Sequence, residues 1–243
     1  MISFYMEMAT MKPGTVVLIH GLWMTPLSWR SWASRLESPS LDVKPVIIGH
    51  SLGGLVTQVL LDRGLGAAGV AVHPGQTRGV WGLPLVQLRA GWPAVGNPFH
   101  LHKGIGLTPK QFHFGFANAL NEDEAFQAWQ TFHVPAPARP LFQLALANIT
   151  PGAATKVDYR RPDRAPLLFL AGSLDRTVPA SVVRENHRRY KTGTVEIKEH
   201  PGRSHFTVGE PDWEEVLDYA IDWVETKTAT RSPRSTAPGV RPN

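Results

Sequence analysis

Short apolar runs alternate with amphipathic segments along most of this chain. Residues 15–20, 45–50, 69–73, 166–171 and 194–198 form five such runs, continuous rather than alternating, as strands buried on both faces are. Between them, Leu52, Leu55, Val56, Val59 and Leu60 make one helical stripe that Gly64 closes. A second stripe runs through Trp29, Trp32, Ala33 and Leu36. A third, entered by Pro211, runs through Trp213, Val216, Leu217, Ala220, Ile221 and Val224. The pattern predicts an α/β fold: a mostly parallel sheet of about five or six strands with helices on both faces.

Residues 75–163 break the alternation, offering no convincing strand but helical segments around 109–120, 122–132 and 140–149. A helical cap inserted between two sheet strands is the economical reading. The division that follows is a core of residues 1–74 and 164–225, a cap of residues 75–163 and a basic tail of residues 226–243.

Composition changes this picture little. The 243 residues are 42% hydrophobic and 19% charged, a globular balance. Cysteine is absent, which excludes disulfides, thiolate metal sites and a cysteine nucleophile. The net charge of +5 is mostly local: Lys227, Arg231, Arg234 and Arg241 contribute +4 in a tail without acidic residues. The tail is too polar to bury a core of its own, and the remainder carries no basic face for nucleic acid. No apolar run reaches membrane-spanning length and no secretory leader is visible, so a cytoplasmic protein without membrane or nucleic-acid partners is expected.

Chemistry concentrates at strand ends. Val46-Ile47-Ile48-Gly49-His50-Ser51-Leu52-Gly53-Gly54 reads as a strand, a G-x-S-x-G turn and a helix. A nucleophile on so sharp a turn needs small neighbours two residues to either side, supplied by Gly49 and Gly53. The helix N-terminus beneath Ser51 favours a developing oxyanion. The competing reading is a Gly-rich turn with a capping serine. A strand through Leu168, Phe169 and Leu170 delivers Asp175 just past its carboxyl end, where α/β sheets place functional groups; the plainer role for Asp175 is capping the next helix. Asp158 and Asp163 precede that strand and fall at its wrong end. His205 sits in a short loop after the last strand, whereas His200, the nearest rival, reads as the end of that strand.

Together with Val16-Val17-Leu18-Ile19-His20-Gly21-Leu22-Trp23, a strand ending in His-Gly, these segments resemble the α/β-hydrolase superfamily, in particular compact serine esterases with a helical cap. The resemblance implies Ser51 as nucleophile, His205 as base and Asp175 as the acid that orients it, in the chain order of that fold. It also implies an oxyanion hole from the backbone amides of Leu22 and Leu52, with His20 confined to a structural hydrogen bond in its loop. The activity implied is cleavage of small or medium carboxylic esters through an acyl-enzyme, with no metal and no cofactor. Lactonase, acyltransferase, perhydrolase and hydroxynitrile lyase chemistry share the triad, and a catalytically impaired binding module is the rival from another class. Ser51 argues against epoxide hydrolases and dehalogenases of this fold, whose nucleophile is aspartate. His100 and His102 read as a polar loop rather than metal ligands. Among Trp81, Trp92, Phe112, Phe116, Trp129, Phe132 and Phe142, most are expected to pack the cap and a minority to face substrate.

One interval departs from the resemblance. Residues 22–45 leave room for one helix, where such proteins usually have a further strand and helix. Since parallel crossovers are nearly always right-handed, the Trp29/Trp32 helix is expected to move to the sheet face left vacant by the lost helix. The shortened sheet also predicts an exposed edge open to homodimer pairing, unless residues 2–8 add a strand to it.

Overall fold

The computed structural model describes residues 15–36 and 44–229. Five parallel strands make one sheet in the order β1 (Val16–Ile19), β2 (Val46–His50), β3 (Ala68–Val72), then two later strands, β6 (Leu167–Gly172) and β7 (Val195–His200). All five fall on the apolar runs of the sequence. The two candidate regions at residues 2–8 and 230–243 lie outside the described residues. Residues 226–229 belong to the last helix, which continues to Ala229, and Lys227 pairs with Glu196.

The central strands β2, β3 and β6 are buried along their whole length, so successive side chains feed two separate cores. On one face Ile47, Ala71, Leu167 and Phe169 pack against α2 (Leu52–Asp62), through Leu61, and against a later helix, α7 (Ala180–Arg189), through Val182 and Val183. On the other face Val46, Ile48, Val70, Leu168 and Leu170 meet α8 (Trp213–Ala229), through Val216, Leu217 and Ile221.

The short helix after β1 overturns the expected crossover. A 3-10 turn (Pro26–Trp29) leads into α1 (Arg30–Arg35), and Trp29, Trp32 and Leu36 join the α8 core, not the α2 core. Trp32 stacks on Trp213 and Arg35 pairs with Asp218 at 2.7 Å. The β1–α1–β2 unit steps across the sheet in the same direction as β2–α2–β3 and β6–α7–β7 but with its helix on the opposite face. Its hand is therefore opposite to theirs, which against the right-handed rule makes it left-handed. Two local facts account for this. The first turn of α2 already lies on β1: a Cβ on Gly53 would stand 2.1 Å from the Ile19 carbonyl oxygen. The α8 side meanwhile offers two tryptophans a deep apolar bed. Val17, pointing to the α2 side where the lost helix would lie, stays exposed.

Between β3 and β6 the chain forms the cap: α3 (Leu85–Val95), α4 (Pro109–Gly115), α5 (Glu122–Phe132) and α6 (Arg139–Ala145). The sequence pattern missed α3, which carries Pro93 inside it and leaves Leu85 and Trp92 exposed. It also missed a two-stranded antiparallel ribbon of β4 (Gly104–Ile105) and β5 (Ala136–Pro137), too short for any period to register. α5 starts where its acidic run suggested, on a capping box between Asn121 and Glu124. Among the described residues no helix is long and apolar enough to cross a membrane.

Candidate active site

The residues singled out in the sequence converge at the carboxyl ends of the sheet. Ser51 follows β2 with φ +56° and ψ −117°, a conformation that costs an L-residue roughly 1–3 kcal/mol and persists only where its surroundings enforce it. The enforcement is visible. A Cβ on Gly49 would stand 2.1 Å from the Gly53 carbonyl oxygen, and one on Gly53 the same distance from the Ile19 carbonyl oxygen, so strand and helix can turn this tightly only with glycine at both positions. The Ser51 amide is tied to the Val72 carbonyl at 2.9 Å, and its own carbonyl accepts from Leu55 and Gly75.

The two candidate oxyanion donors flank this turn. Leu52 is the first residue of α2, so its N–H is one of the amides that no helical carbonyl can take up. Leu22 follows Gly21, where an added Cβ would stand 2.8 Å from the Ser51 Cβ, and its N–H makes no hydrogen bond with the described residues. His20 bonds back onto the Gly21 carbonyl at 2.9 Å, in keeping with a local role.

Asp175 is buried and saturated with donors. Its Oδ1 accepts the Thr177 and Val178 amides at 2.8 and 2.7 Å, and its Oδ2 accepts His205 Nδ1 at 2.7 Å. Burial alone would push this carboxyl up, but the charge of His205 and hydrogen bonds from His205 and His73 outweigh it and hold the group far below the usual carboxylate range. With Nδ1–H given to Asp175, His205 keeps a lone pair on Nε2. That nitrogen is buried and makes no hydrogen bond, so the Ser51–His205 bond is not closed in this structure. Such bonds often tighten only when substrate arrives.

The loop carrying His205 is clamped from three sides. Ser204 donates its N–H to Glu210 Oε1 at 3.0 Å and its hydroxyl to the Phe116 carbonyl at 2.6 Å, tying the base to the cap. His50, the variable residue of G-x-S-x-G, donates Nε2–H to the His205 carbonyl at 2.7 Å. Burial first, then repulsion from His205 and His73, holds the His50 imidazole well below its ordinary value, hence neutral. The Phe116 ring stands edge-on to His205, 4.7 Å between centroids, with Phe112 and Phe206 behind it.

Other sequence candidates stay apart. Of the cap aromatics, Phe112 and Phe116 are buried near the base, Trp81 and Trp92 are exposed, and Trp129, Phe132 and Phe142 pack the cap core. Asp163 pairs with Arg161, and the Asp158 carboxylate accepts the Arg160 amide. His100 bonds the Ala94 carbonyl at 3.3 Å. His200 ends β7, as its position suggested, and burial draws it down to about 4.

Sequence reasoning missed His73. It follows β3 with φ +46° and places Nδ1 2.8 Å from the same Asp175 Oδ2 that holds His205. The signal was present: β3, like β2, runs straight into a histidine at the functional end of the sheet. His73, Asp175 and His205 are also the one group among the described residues whose ligand atoms lie within 4.8 Å of one another. Their N···O distances are those of N–H donors on a carboxylate, however, whereas tetrahedral ligands about 2.0–2.1 Å from zinc would stand about 3.3 Å apart.

Comparison with known proteins agrees with the fold. The pattern of the alpha/beta hydrolase family matches residues 33–218, well over half of the chain. No curated protein sequence matches it. Among solved structures, the monoacylglycerol lipase of Paleococcus ferrophilus is 20% identical with a TM-score of 0.60, over 88% of this chain and 95% of that one. A methylesterase from Arabidopsis is 12% identical with a TM-score of 0.60, over 87% and 99%. The tomato methylketone synthase I, solved as a histidine variant with β-ketoheptanoate, is 11% identical with a TM-score of 0.58, over 90% and 98%. At these identities the likeness is one of fold.

Proposed function

Because the chain belongs to the alpha/beta hydrolase family, we propose that it hydrolyses carboxylic esters of small or medium size, with Ser51 as nucleophile, His205 as base and Asp175 as the group that orients and charges the base. The observation that carries this reading is the 2.7 Å bond from His205 Nδ1 to a buried, ionised Asp175, which leaves Nε2 unpartnered, while Ser51 is held on a strained turn at the same end of the sheet.

In the reaction, Ser51 Oγ attacks the ester carbonyl carbon as its proton passes to His205 Nε2. The tetrahedral oxyanion takes the N–H groups of Leu22 and Leu52, each such donor being worth about 10²–10³ in rate. Collapse expels the alcohol, which receives the proton from His205 and leaves an acyl-Ser51. Water, deprotonated by the same Nε2, then releases the acid. Asp175 stays ionised throughout, since four donors saturate its lone pairs. Lysine or metal participation is not needed at any step. The apolar edge of Phe116 over His205, with Leu144 approaching Gly75 behind Ser51, supports a compact acyl group over a bulky one. Ester-cleaving proteins among the structural neighbours support ester cleavage as the reaction.

The open Ser51–His205 bond favours a second reading, a binding module on an idle hydrolase fold. Labelling separates the two. A fluorophosphonate should modify wild-type protein on Ser51 alone and spare the Ser51→Ala variant, and p-nitrophenyl acetate should be turned over only by wild type. Folded protein that takes no label would decide for the binding module.

A further inference from the structure

We propose that His73 is a positioning residue of this site: it grips the second lone pair of Asp175 Oδ2, fixing the carboxylate for His205 and sharing its charge. The inference rests on the triad reading above.

Three observations lead to it. His73 Nδ1 and His205 Nδ1 approach the same oxygen at 2.8 and 2.7 Å, and all three side chains are fully buried. The two backbone amides occupy the other oxygen, so His73 completes the set of four donors that one carboxylate can accept. Second, the niche leaves room for this ring. A Cβ on Gly172, at the end of β6, would stand 2.4 Å from the Arg203 carbonyl oxygen and 2.6 Å from His73 Cε1, so glycine there admits the base loop and the imidazole together. Third, the backbone at His73 is held at φ +46°; among the described residues the other non-glycine positions with positive φ are Trp23, Ser51 and Asp212. Ser51 and His73 thus carry the same kind of strain at the ends of adjacent strands, and such strain collects where geometry must be imposed.

The chemical consequence follows from sharing. A carboxylate oxygen that accepts two N–H groups is less basic toward either than one that accepts a single donor. His73 therefore moderates the pull of Asp175 on the imidazolium that His205 becomes, while preventing the carboxylate from rotating away. The charged and titratable groups facing this assembly are His50 at the end of β2, His200 and Lys198 on β7, Arg203 and Glu210 around the base loop, and Arg176 next to Asp175. Neither His50 nor His200 can mimic the effect near neutral pH, because burial keeps both uncharged there.

Two substitutions test the proposal. His73→Asn keeps an N–H donor close to the Nδ1 position and tolerates positive φ; His73→Leu removes the donor and excludes water. His73→Ala, which leaves a hole instead of a branched chain, replaces the leucine variant if that one does not fold. Proton NMR should show two low-field imidazole N–H resonances in wild type, those of His73 and His205. In His73→Asn the His205 resonance should stay in place; in His73→Leu it should move further downfield. With p-nitrophenyl acetate, His73→Leu should lower kcat about tenfold, the scale on which partners that orient a functional histidine count. KM should hardly change, and the acid limb of the kcat/KM profile should move about half a pH unit upward; His73→Asn should restore both. A His205 resonance and an acid limb identical in wild type and His73→Leu would overturn the proposal, whatever happens to stability. Wild type that shows both resonances yet neither labels nor hydrolyses would instead overturn the triad reading, and with it any catalytic consequence of His73.

Discussion

At Ser51 the backbone stores strain that the side chain needs. Its φ of +56° costs a serine energy that glycine would not incur. Ser51→Gly should therefore abolish ester turnover while raising unfolding stability by about 1 kcal/mol, read from urea titration. The opposite effect on stability is expected at the second residue of α2. A methyl group at Gly53 would meet the Ile19 carbonyl oxygen at 2.1 Å, so Gly53→Ala should cost about 1–3 kcal/mol or more and carry activity down with it. A Gly53→Ala protein as stable as wild type would mean that the elbow is far more pliable than its contacts indicate. These residues matter through space, not through polarity, which is why a bare G-x-S-x-G string is weak until a strand and a helix flank it.

At the scale of elements, the least conventional feature is the α1 crossover. Its attachment rests on a few large side chains: Trp29 and Trp32 meet at 5.1 Å between centroids, and Trp32 stacks on Trp213 of α8. Truncating fully buried Trp32 to alanine should cost about 3–5 kcal/mol. Because α1 follows the loop that bears Leu22, the same variant should also lose activity with p-nitrophenyl acetate under conditions where it remains folded. Retention of full activity would show that the Leu22 loop is held by its other neighbours alone, Gly21 against Ser51 and the Trp23 carbonyl against the Val134 amide.

For the whole molecule, the buried histidines set the response to acid. His200 has its pKa drawn from 6.5 down to about 4, by burial first and then by the neighbouring His73, Lys198 and Arg203. A depressed histidine binds its proton in the unfolded chain before it does so in the folded one. Stability should thus fall as pH drops from about 6.5 to about 4 and change little through this group below that. His50 adds to the fall with the same sign. The depressed Asp175 acts further down, losing its contribution only as pH passes below the ordinary carboxylate range. Urea midpoints at pH 7 and pH 5 measure the loss, and His200→Gln should reduce it. Equal losses in the variant and wild type would assign the acid response to other groups.

Much of this protein could be read from the chain itself, for a physical reason. Strands buried on both faces must be apolar throughout, and a nucleophile turn must be glycine-bounded, so the five sheet strands, the Ser51 elbow and the positions of Asp175 and His205 leave local signatures. Whatever depends on two distant segments meeting leaves none. The face chosen by α1 follows from competition between α2 and α8 for the space around β1, and the general preference for right-handed crossovers pointed the wrong way. α3 hid behind its internal proline and its exposed apolar residues. The pairing of His73 with Asp175 joins positions 102 residues apart, and only the sheet order, with β3 beside β6, brings them to one carboxylate oxygen.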